Sequence, residues 1–288
     1  MQAVSTNAYA KINLTLDITG RRGDGYHTLE SVMHTISLCD RVLVRLREGE
    51  GITLGCNLPY LPRDGKNLAV RAAALFWQKS GLTPQATEIH IKKAIPVGAG
   101  MAGGSTDAAA VLRLLNRMTG FPFSRVALAE LALELGADVP FCLRIGAALA
   151  SGIGEKLKTV PALPPCHIVV CKPLVSVSTK RAYELVDACD GLTHPPAGVM
   201  LDALARRDFD AVCAALGNSM AEPIEREKPQ IADIRRQLLQ LGAQGAVMTG
   251  SGSAVFALFR KKAAAEAAAR IMGESWREVF LCKPVCSV

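Results

Sequence analysis

Residues 96–108, Pro-Val-Gly-Ala-Gly-Met-Ala-Gly-Gly-Ser-Thr-Asp-Ala, combine two properties that suit an anion. Gly98, Gly100, Gly103 and Gly104 let the backbone approach a ligand closely. The Ala- and Leu-rich run that follows predicts a helix over 107–117. Its first N–H groups and its dipole favour negative charge, most often phosphate. Ser105 and Thr106 add hydroxyls. The same residues also fit a glycine turn with Ser105 or Thr106 as N-cap.

Context narrows the kind of loop. Gly98-x-Gly100-x-x-Gly103 matches the dinucleotide fingerprint in letters. That fingerprint needs a second parallel strand after the helix, ending in an acid about 20 residues on. Phe121-Pro-Phe-Ser124 and another helix-forming run stand there instead. A Walker A loop needs Gly-Lys-Ser/Thr, and this loop ends Gly-Gly-Ser-Thr. A protein-kinase glycine loop lies between two strands, whereas a helix follows here. What remains is a lysine-free loop that holds phosphates by backbone N–H groups and a helix dipole.

Other residues could act on a bound ligand. Lys11 and Asn13 lie two apart in a strand-like run, Ala8–Ile18, and so share a face. Asp138 follows a helix-forming run, in Gly136-Ala-Asp-Val-Pro140. Phosphoryl transfer to an alcohol needs a positioned acceptor for the hydroxyl proton, which an Asp in such a place can supply. It can equally cap a turn. Tyr26 and His27 follow a turn-rich Gly-Asp-Gly and suit either turn packing or contact with a base. Thr179 and Tyr183 stand one turn apart on an expected helix, as N-cap and core aromatic or as ligand contacts.

The elements that must position these residues can be outlined. In Ala8–Ile18, Tyr9, Lys11, Asn13, Thr15 and Asp17 alternate with Ala10, Ile12, Leu14, Leu16 and Ile18. Further strands are expected at 30–37, 41–47, 51–54, 86–95 and 167–171. Helices are expected at 67–79, capped by Asn67 and Gly81, then at 107–117, 124–135, 179–188 and 261–272. Two or three more helices lie before Leu241, and two short strands flank Gly250-Ser-Gly-Ser253. Hairpins mixed with clustered helices indicate an α+β fold. Gly, Pro and Lys gather at 152–165, and a boundary there divides the chain into 1–156 and 157–288.

Composition excludes several function classes. The 288 residues contain no apolar run near the ~20 of a membrane span, and no basic-then-apolar leader opens the chain. A cytoplasmic protein without membrane contact is expected. Nine cysteines without metal spacing read as free thiols, with Cys142, Cys213 and Cys282 as small core residues. His34, His90, His167 and His194 carry no motif and read as structural. The net charge is +7, but no block of five basic residues occurs and aromatics are 5%. Attraction of a polyanionic small molecule fits this better than nucleic acid.

The pattern Pro-x-x-x-Gly-x-x-Gly-Gly-Ser-x-x-Ala, about a third of the way along, resembles the phosphate loop of the GHMP small-molecule kinases. Ala8-Tyr-Ala-Lys-Ile-Asn-Leu14 and Gly20-Arg-Arg-Gly-Asp-Gly-Tyr-His27 resemble one branch of that family. Gly136-Ala-Asp-Val-Pro-Phe141 resembles its catalytic segment, and Gly250-Ser-Gly-Ser253 occupies the place of a third glycine motif. Met101, Ala102 and Thr106 depart from the commoner Leu, Gly and Ser.

The resemblance implies a two-lobed fold: an N-terminal mixed-sheet lobe with helices, and a C-terminal ferredoxin-like α/β lobe. ATP and substrate would be held between them. It implies transfer of the γ-phosphoryl of ATP to the tertiary 2-hydroxyl of a methylerythritol unit bearing a cytidine diphosphate. Lys11 and Asp138 would be catalytic. Pro96, Val97, Gly98, Ala99, Gly100, Met101, Ala102, Gly103, Gly104, Ser105 and Thr106 would bind ATP. Asn13, Tyr26, His27, Thr179 and Tyr183 would bind substrate, with Tyr26 stacked on the cytosine and His27 on its edge. Mg²⁺ is expected with ATP, with Ser105 the one candidate ligand. A monomer or weak homodimer is expected. Three other readings stay open: a GHMP kinase for another alcohol or acid, a non-catalytic nucleotide-binding protein, and an RNA-binding module.

Overall fold

The structure is a computed structural model that describes residues 2–286. Two strands open the chain, β1 (Gln2–Arg21) and β2 (His27–Arg47), and lie side by side. The expected strands at 30–37 and 41–47 are one continuous strand. Their separator, Leu38-Cys-Asp40, contains no Gly or Pro to break the ladder. Contacts divide the chain into two compact units. One holds the chain up to Ala10, Leu38–Ile95 and Ala102–Arg144. The other holds Lys11–Ser37, Pro96–Met101 and the chain from Ile145 on.

The first unit packs four helices on a small sheet. β4 (Ala86–Lys92) pairs antiparallel with β2 and parallel with β3 (Ile52–Cys56), so the sheet is mixed. The helices are α1 (Leu68–Ser80), α2 (Gly103–Met118), α3 (Arg125–Leu135) and the short α4 (Val139–Cys142). The caps of α1 match expectation: Asn67 accepts from the Ala69 N–H, and Gly81 is left-handed at φ 68°. Ser124 caps α3 by accepting from Ala127. Val42, Val44 and Leu46 of β2 and Ile89 and Ile91 of β4 enter one core with Phe76, Ala109, Leu112 and Leu115. Period 2 on the strands meets period 3.6 on the helices there.

The second unit contains two sheet regions. β5 (Ala147–Ser151) pairs with the first half of β2 and with β6 (Lys156–Val160); β8 (Gly217–Asn218) runs parallel to β1 at Thr15 and Leu16. A four-stranded antiparallel sheet has the order β11-β7-β10-β9. Its strands are β7 (His167–Lys172), β9 (Gly245–Met248), β10 (Val255–Phe259) and β11 (Glu278–Cys282). In chain order its strands are the first, second, third and fourth, placed 4-1-3-2, as in the β-α-β-β-α-β ferredoxin-like arrangement. Its helices are α5 (Thr179–Asp187), α6 (Ala197–Ala205), α7 (Phe209–Ala214), α8 (Ala221–Glu227), α9 (Pro229–Gln240) and α10 (Lys262–Ser275). Four helices, α6–α9, stand where two or three were expected.

Among the described residues no helix is long and apolar enough to cross a membrane. Among the described residues no disulfide joins the nine cysteines, and Cys142, Cys213 and Cys282 are buried. Burial pushes the thiols of Cys166, Cys171 and Cys213 up to about 12, so they stay protonated and unreactive. His34 is a buried structural residue: Nδ1 pairs with the Thr35 carbonyl at 2.8 Å, and Nε2 accepts from Leu163 N–H at 3.1 Å.

Candidate active site

In the second unit the latter part of β1 carries a buried polar row. Lys11, Asn13 and Thr15 share one strand face, as the alternation predicts, but all three are buried, at 4%, 2% and 0% exposure. That face is internal, not solvated. Such burial requires partners. Lys11 Nζ donates to Asn13 Oδ1 at 2.7 Å. Asn13 Nδ2 donates to Ser31 Oγ at 2.8 Å, and Ser31 Oγ donates to the Thr15 carbonyl at 2.6 Å. Thr249 Oγ1 accepts from Asn13 N–H at 3.0 Å and lies 3.3 Å from Asn13 Oδ1. The amide of Asn13 is therefore oriented, with its oxygen toward the ammonium.

The glycine loop begins in this unit and is packed against the third glycine motif. Gly98 and Gly100 are left-handed, at φ 65° and 73°. A Cβ on Gly100 would stand 2.1 Å from the Thr249 carbonyl oxygen, and one on Gly250 would stand 2.6 Å from the Gly100 oxygen. Only glycine fits both places. Lys11 N–H donates to the Met101 carbonyl at 3.3 Å, and Ala254 N–H to the Ala99 carbonyl at 3.3 Å. Asn218 Nδ2 holds the carbonyls of Met248 and Gly250 at 2.8 and 2.9 Å.

The loop ends in the first unit, where helix α2 starts at Gly103, four residues before the expected Asp107. The N-cap position is Ala102, left-handed at φ 58°, with no side-chain cap. Thr106 N–H bonds to the Ala102 carbonyl at 2.9 Å and closes the first turn. Neither Ser105 nor Thr106 caps the helix. Thr106 is buried and its hydroxyl donates to the Tyr9 carbonyl at 2.8 Å. Gly104 is exposed and Ser105 half-buried, so the first turn of α2 presents backbone N–H groups and one hydroxyl.

Asp138 occupies the N-cap position of α4, half-buried, and its side chain does not cap that helix. Its backbone carbonyl accepts from Cys142 N–H at 3.2 Å.

Tyr26 and His27 part company. Tyr26 is 62% exposed on the β1–β2 turn, held by a bond from its N–H to Asp24 Oδ1 at 3.2 Å. His27 is buried. Its ring stacks on Tyr183 with centroids 4.4 Å apart and planes 10° from parallel, and Nε2 lies 2.6 Å from Asp187 Oδ1. Tyr183 is thus beside His27. Thr179 is the first residue of α5, but Ser178 is the cap, accepting from Arg181 N–H at 3.1 Å. The Thr179 hydroxyl lies 3.4 Å from Ser251 Oγ in the third glycine motif.

Sequence reasoning missed a buried ionic cluster in the first unit. Lys93 Nζ lies between Asp40 and Asp107, 2.7 Å from Asp107 Oδ2 and in a short bond to Asp40 Oδ2. Asp40 Oδ1 accepts from the N–H groups of Ala94 and Ile95 at 2.6 and 2.8 Å. Burial works against the Lys93 ammonium, but Asp107 and Asp40 outweigh it and hold its pKa above the ordinary value. Burial pushes Asp107 well above the usual carboxylate range, against the pull of Lys93. Its Oδ1 is buried without a hydrogen-bond partner. Positions 40, 93 and 107 share no local motif, so only the fold brings them together. Ser31, Thr249 and Asn218 were missed for the same reason.

The family profile described as GHMP kinases N terminal domain matches residues 67–146, and that described as GHMP kinases C terminal matches 200–278. A 4-diphosphocytidyl-2-C-methyl-D-erythritol kinase of Brevibacillus brevis is 43% identical over 260 residues, 90% of this chain and 89% of its own. One of Bacillus subtilis is 42% identical over 252 residues, 87% of this chain and 86% of its own. A crystal structure of 4-(cytidine 5'-diphospho)-2C-methyl-D-erythritol kinase superposes with TM-score 0.84 at 36% identity, covering 99% of this chain and 100% of that one. A homoserine kinase from Cytophaga hutchinsonii, 19% identical with TM-score 0.75, shares the fold. The chain belongs to the GHMP kinases and, within them, to the 4-diphosphocytidyl-2-C-methyl-D-erythritol kinase family.

Proposed function

We propose that this ATP-dependent small-molecule kinase phosphorylates the 2-hydroxyl of 4-diphosphocytidyl-2-C-methyl-D-erythritol, a step of the non-mevalonate route to isoprenoid precursors. The observation that carries the reading is 43% identity over 260 residues to a relative bearing that name. In the reaction the substrate oxygen bonds to the γ-phosphorus of ATP, the bond to the β–γ bridging oxygen breaks, and ADP leaves. Asp138 accepts the hydroxyl proton. The Lys11 ammonium supplies positive charge that favours the anionic forms of base and nucleophile. Asn13 orients Lys11 and hydrogen-bonds substrate. Backbone N–H groups and side chains of residues 96–106 hold the ATP phosphates.

Mg²⁺ fits this site as an ion carried by the nucleotide. Among the described residues no group of three or more His, Cys, Asp or Glu side chains could hold a metal. Ser105, whose hydroxyl lies on the first turn of α2, is the residue that would reach it. When bound, the ion would supply charge neutralisation to the ATP phosphates. Tyr26, His27, Thr179 and Tyr183 form the cytidine side. Residues 1–156 form the ATP-binding and catalytic lobe and also carry Asn13, Tyr26 and His27, while 157–288 bring Thr179 and Tyr183 to the substrate; the two profile matches on either side support that boundary.

A substrate screen with ATP and Mg²⁺ tests the reading. The cytidylylated tetrol is expected to be turned over far faster than mevalonate, homoserine or a sugar. Turnover of one of those in its place overturns the branch. No turnover of any, with ATP bound, favours the non-catalytic reading.

A further inference from the structure

The sheet of the first unit has a second face. Val42, Val44, Ile89 and Ile91 point into the core shared with α1 and α2. Alternation turns Arg41, Leu43, Arg45 and Arg47 of β2 and Glu88, His90 and Lys92 of β4 the other way. Register sets them in rows: Arg41 opposite Lys92, Leu43 opposite His90 with Gly55 of β3 beyond, and Arg45 opposite Glu88. In the last row the charges cancel, since Glu88 pairs with Arg45 at 3.9 Å and with Arg47 at 3.0 Å. In the first row they do not. Two cations stand directly opposite each other, an arrangement that costs a sheet stability. Arg41 Nη2 donates to Ser5 Oγ at 3.2 Å. Among the described residues neither Arg41, Lys92 nor His90 has a carboxylate partner.

A cavity of about 350 Å³ lies over these rows, within the size range of small-molecule sites. Leu43 and Gly55 give it apolar surface, and Arg41, Lys92, His90 and Asn57 stand around them. No Asp or Glu lines it. Gly55 is required there, because a Cβ would lie 2.8 Å from His90 Nδ1. The rim is fixed: Asn57 Oδ1 accepts from Lys93 N–H at 2.7 Å, and Nδ2 donates to the Lys93 carbonyl at 3.2 Å. A guanidinium, an ammonium and an imidazole N–H offer donors without a counter-charge, which suits a phosphate group. Glu88 ends the basic patch one row on, so it is too short to track a polynucleotide backbone. We propose that this face of the β3-β4-β2 sheet binds a small organic phosphate. Its phosphate lies between Arg41, Lys92 and His90, and its apolar body covers Leu43 and Gly55. The site is separate from the first turn of α2, because α2 packs on the opposite face of the sheet.

Inorganic phosphate and phenyl phosphate serve as probes, titrated into the protein with its nucleotide site saturated by a non-hydrolysable ATP analogue and Mg²⁺. Binding is read from the His90 ring signals in proton–carbon spectra, assigned with His90→Gln. Both probes should move those signals. Phenyl phosphate should bind at least about threefold more tightly, since its ring covers apolar surface. Arg41→Gln and Lys92→Gln should each weaken binding at least about tenfold. Without a probe, their thermal midpoints should equal or exceed that of the wild type, because the facing charges are relieved. A purely structural role would lower them. Unmoved His90 signals overturn the proposal, as does equal affinity in the wild type and the Arg41→Gln/Lys92→Gln double variant. A lower midpoint in both single variants overturns it too. Binding of inorganic phosphate but not phenyl phosphate, or of a single-stranded oligonucleotide in place of both, overturns the small organic ligand.

Discussion

Lys11 Nζ and Asn13 Oδ1 stand 2.7 Å apart on the buried face of β1, and the Asn13 amide is held in turn by Ser31 and Thr249. A buried ammonium needs such an acceptor, since its desolvation is otherwise uncompensated. Asn13→Ala deletes that acceptor and leaves the Ser31 hydroxyl without its donor. The expected cost is about 1–3 kcal/mol in urea unfolding, with a raised KM for the cytidine substrate. Wild-type stability in the variant would show that Lys11 does not depend on Asn13.

Asp138→Asn keeps the shape of the N-cap position on α4 and removes the proton acceptor. Turnover should fall at least about a hundredfold while ATP binding, measured by calorimetry, stays near wild type. Near-normal turnover would remove Asp138 from the role of base.

Glycine and alanine substitutions in the loop should act in opposite directions. In Gly100→Ala the new methyl meets the Thr249 carbonyl oxygen at 2.1 Å, at φ 73°. A loss of about 2–5 kcal/mol is expected, with nucleotide binding impaired. Gly104→Ala meets nothing closer than Leu68 Cδ1 at 3.6 Å, so its stability should stay within about 1 kcal/mol of wild type. Ala102 already holds a left-handed conformation at φ 58°, and Ala102→Gly should raise Tm by relieving about 1 kcal/mol. Thermal unfolding of the three variants checks the order.

Lys93→Met leaves Asp40 and Asp107 buried without their shared cation. Breaking a buried ion cluster by removing one partner costs about 3–5 kcal/mol. Chemical denaturation should show a loss of that size. A change below 1 kcal/mol would mean that the cluster contributes nothing net.

His34 gives stability a pH dependence. Burial lowers its pKa to about 4 from 6.5. Between about 6.5 and 4 the unfolded chain takes up a proton that the folded chain refuses. Its contribution is therefore complete above about 6.5, is lost as pH falls through that window, and levels off below about 4, with a full size of about 3 kcal/mol. His34→Gln should be less stable than wild type at pH 7 and lose less on going to pH 5. Parallel urea titrations at the two pH values compare the slopes.

Local features are legible in the residues alone, because each depends on neighbours three or four residues away. Asn67, Gly81 and Ser124 mark helix ends through short-range hydrogen bonds and φ preferences. The alternation of β1 placed Lys11 beside Asn13. Pro96–Ala108 carried the phosphate-loop resemblance in its own letters. Which polar residues are buried, and what they meet, follows from packing across the whole chain. Alternation reports which side of β1 Lys11 is on and not what covers that side, which the fold buries. Helix α2 starts at Gly103 because Thr106 closes its turn on Ala102 and is pinned to Tyr9, contacts that override weak glycine propensity. Asp40, Lys93 and Asp107 are apart in the chain, and His27 is far from Tyr183 and Asp187, which share α5. Their pairing follows from strand register and helix packing, which a single sequence encodes only through the whole fold.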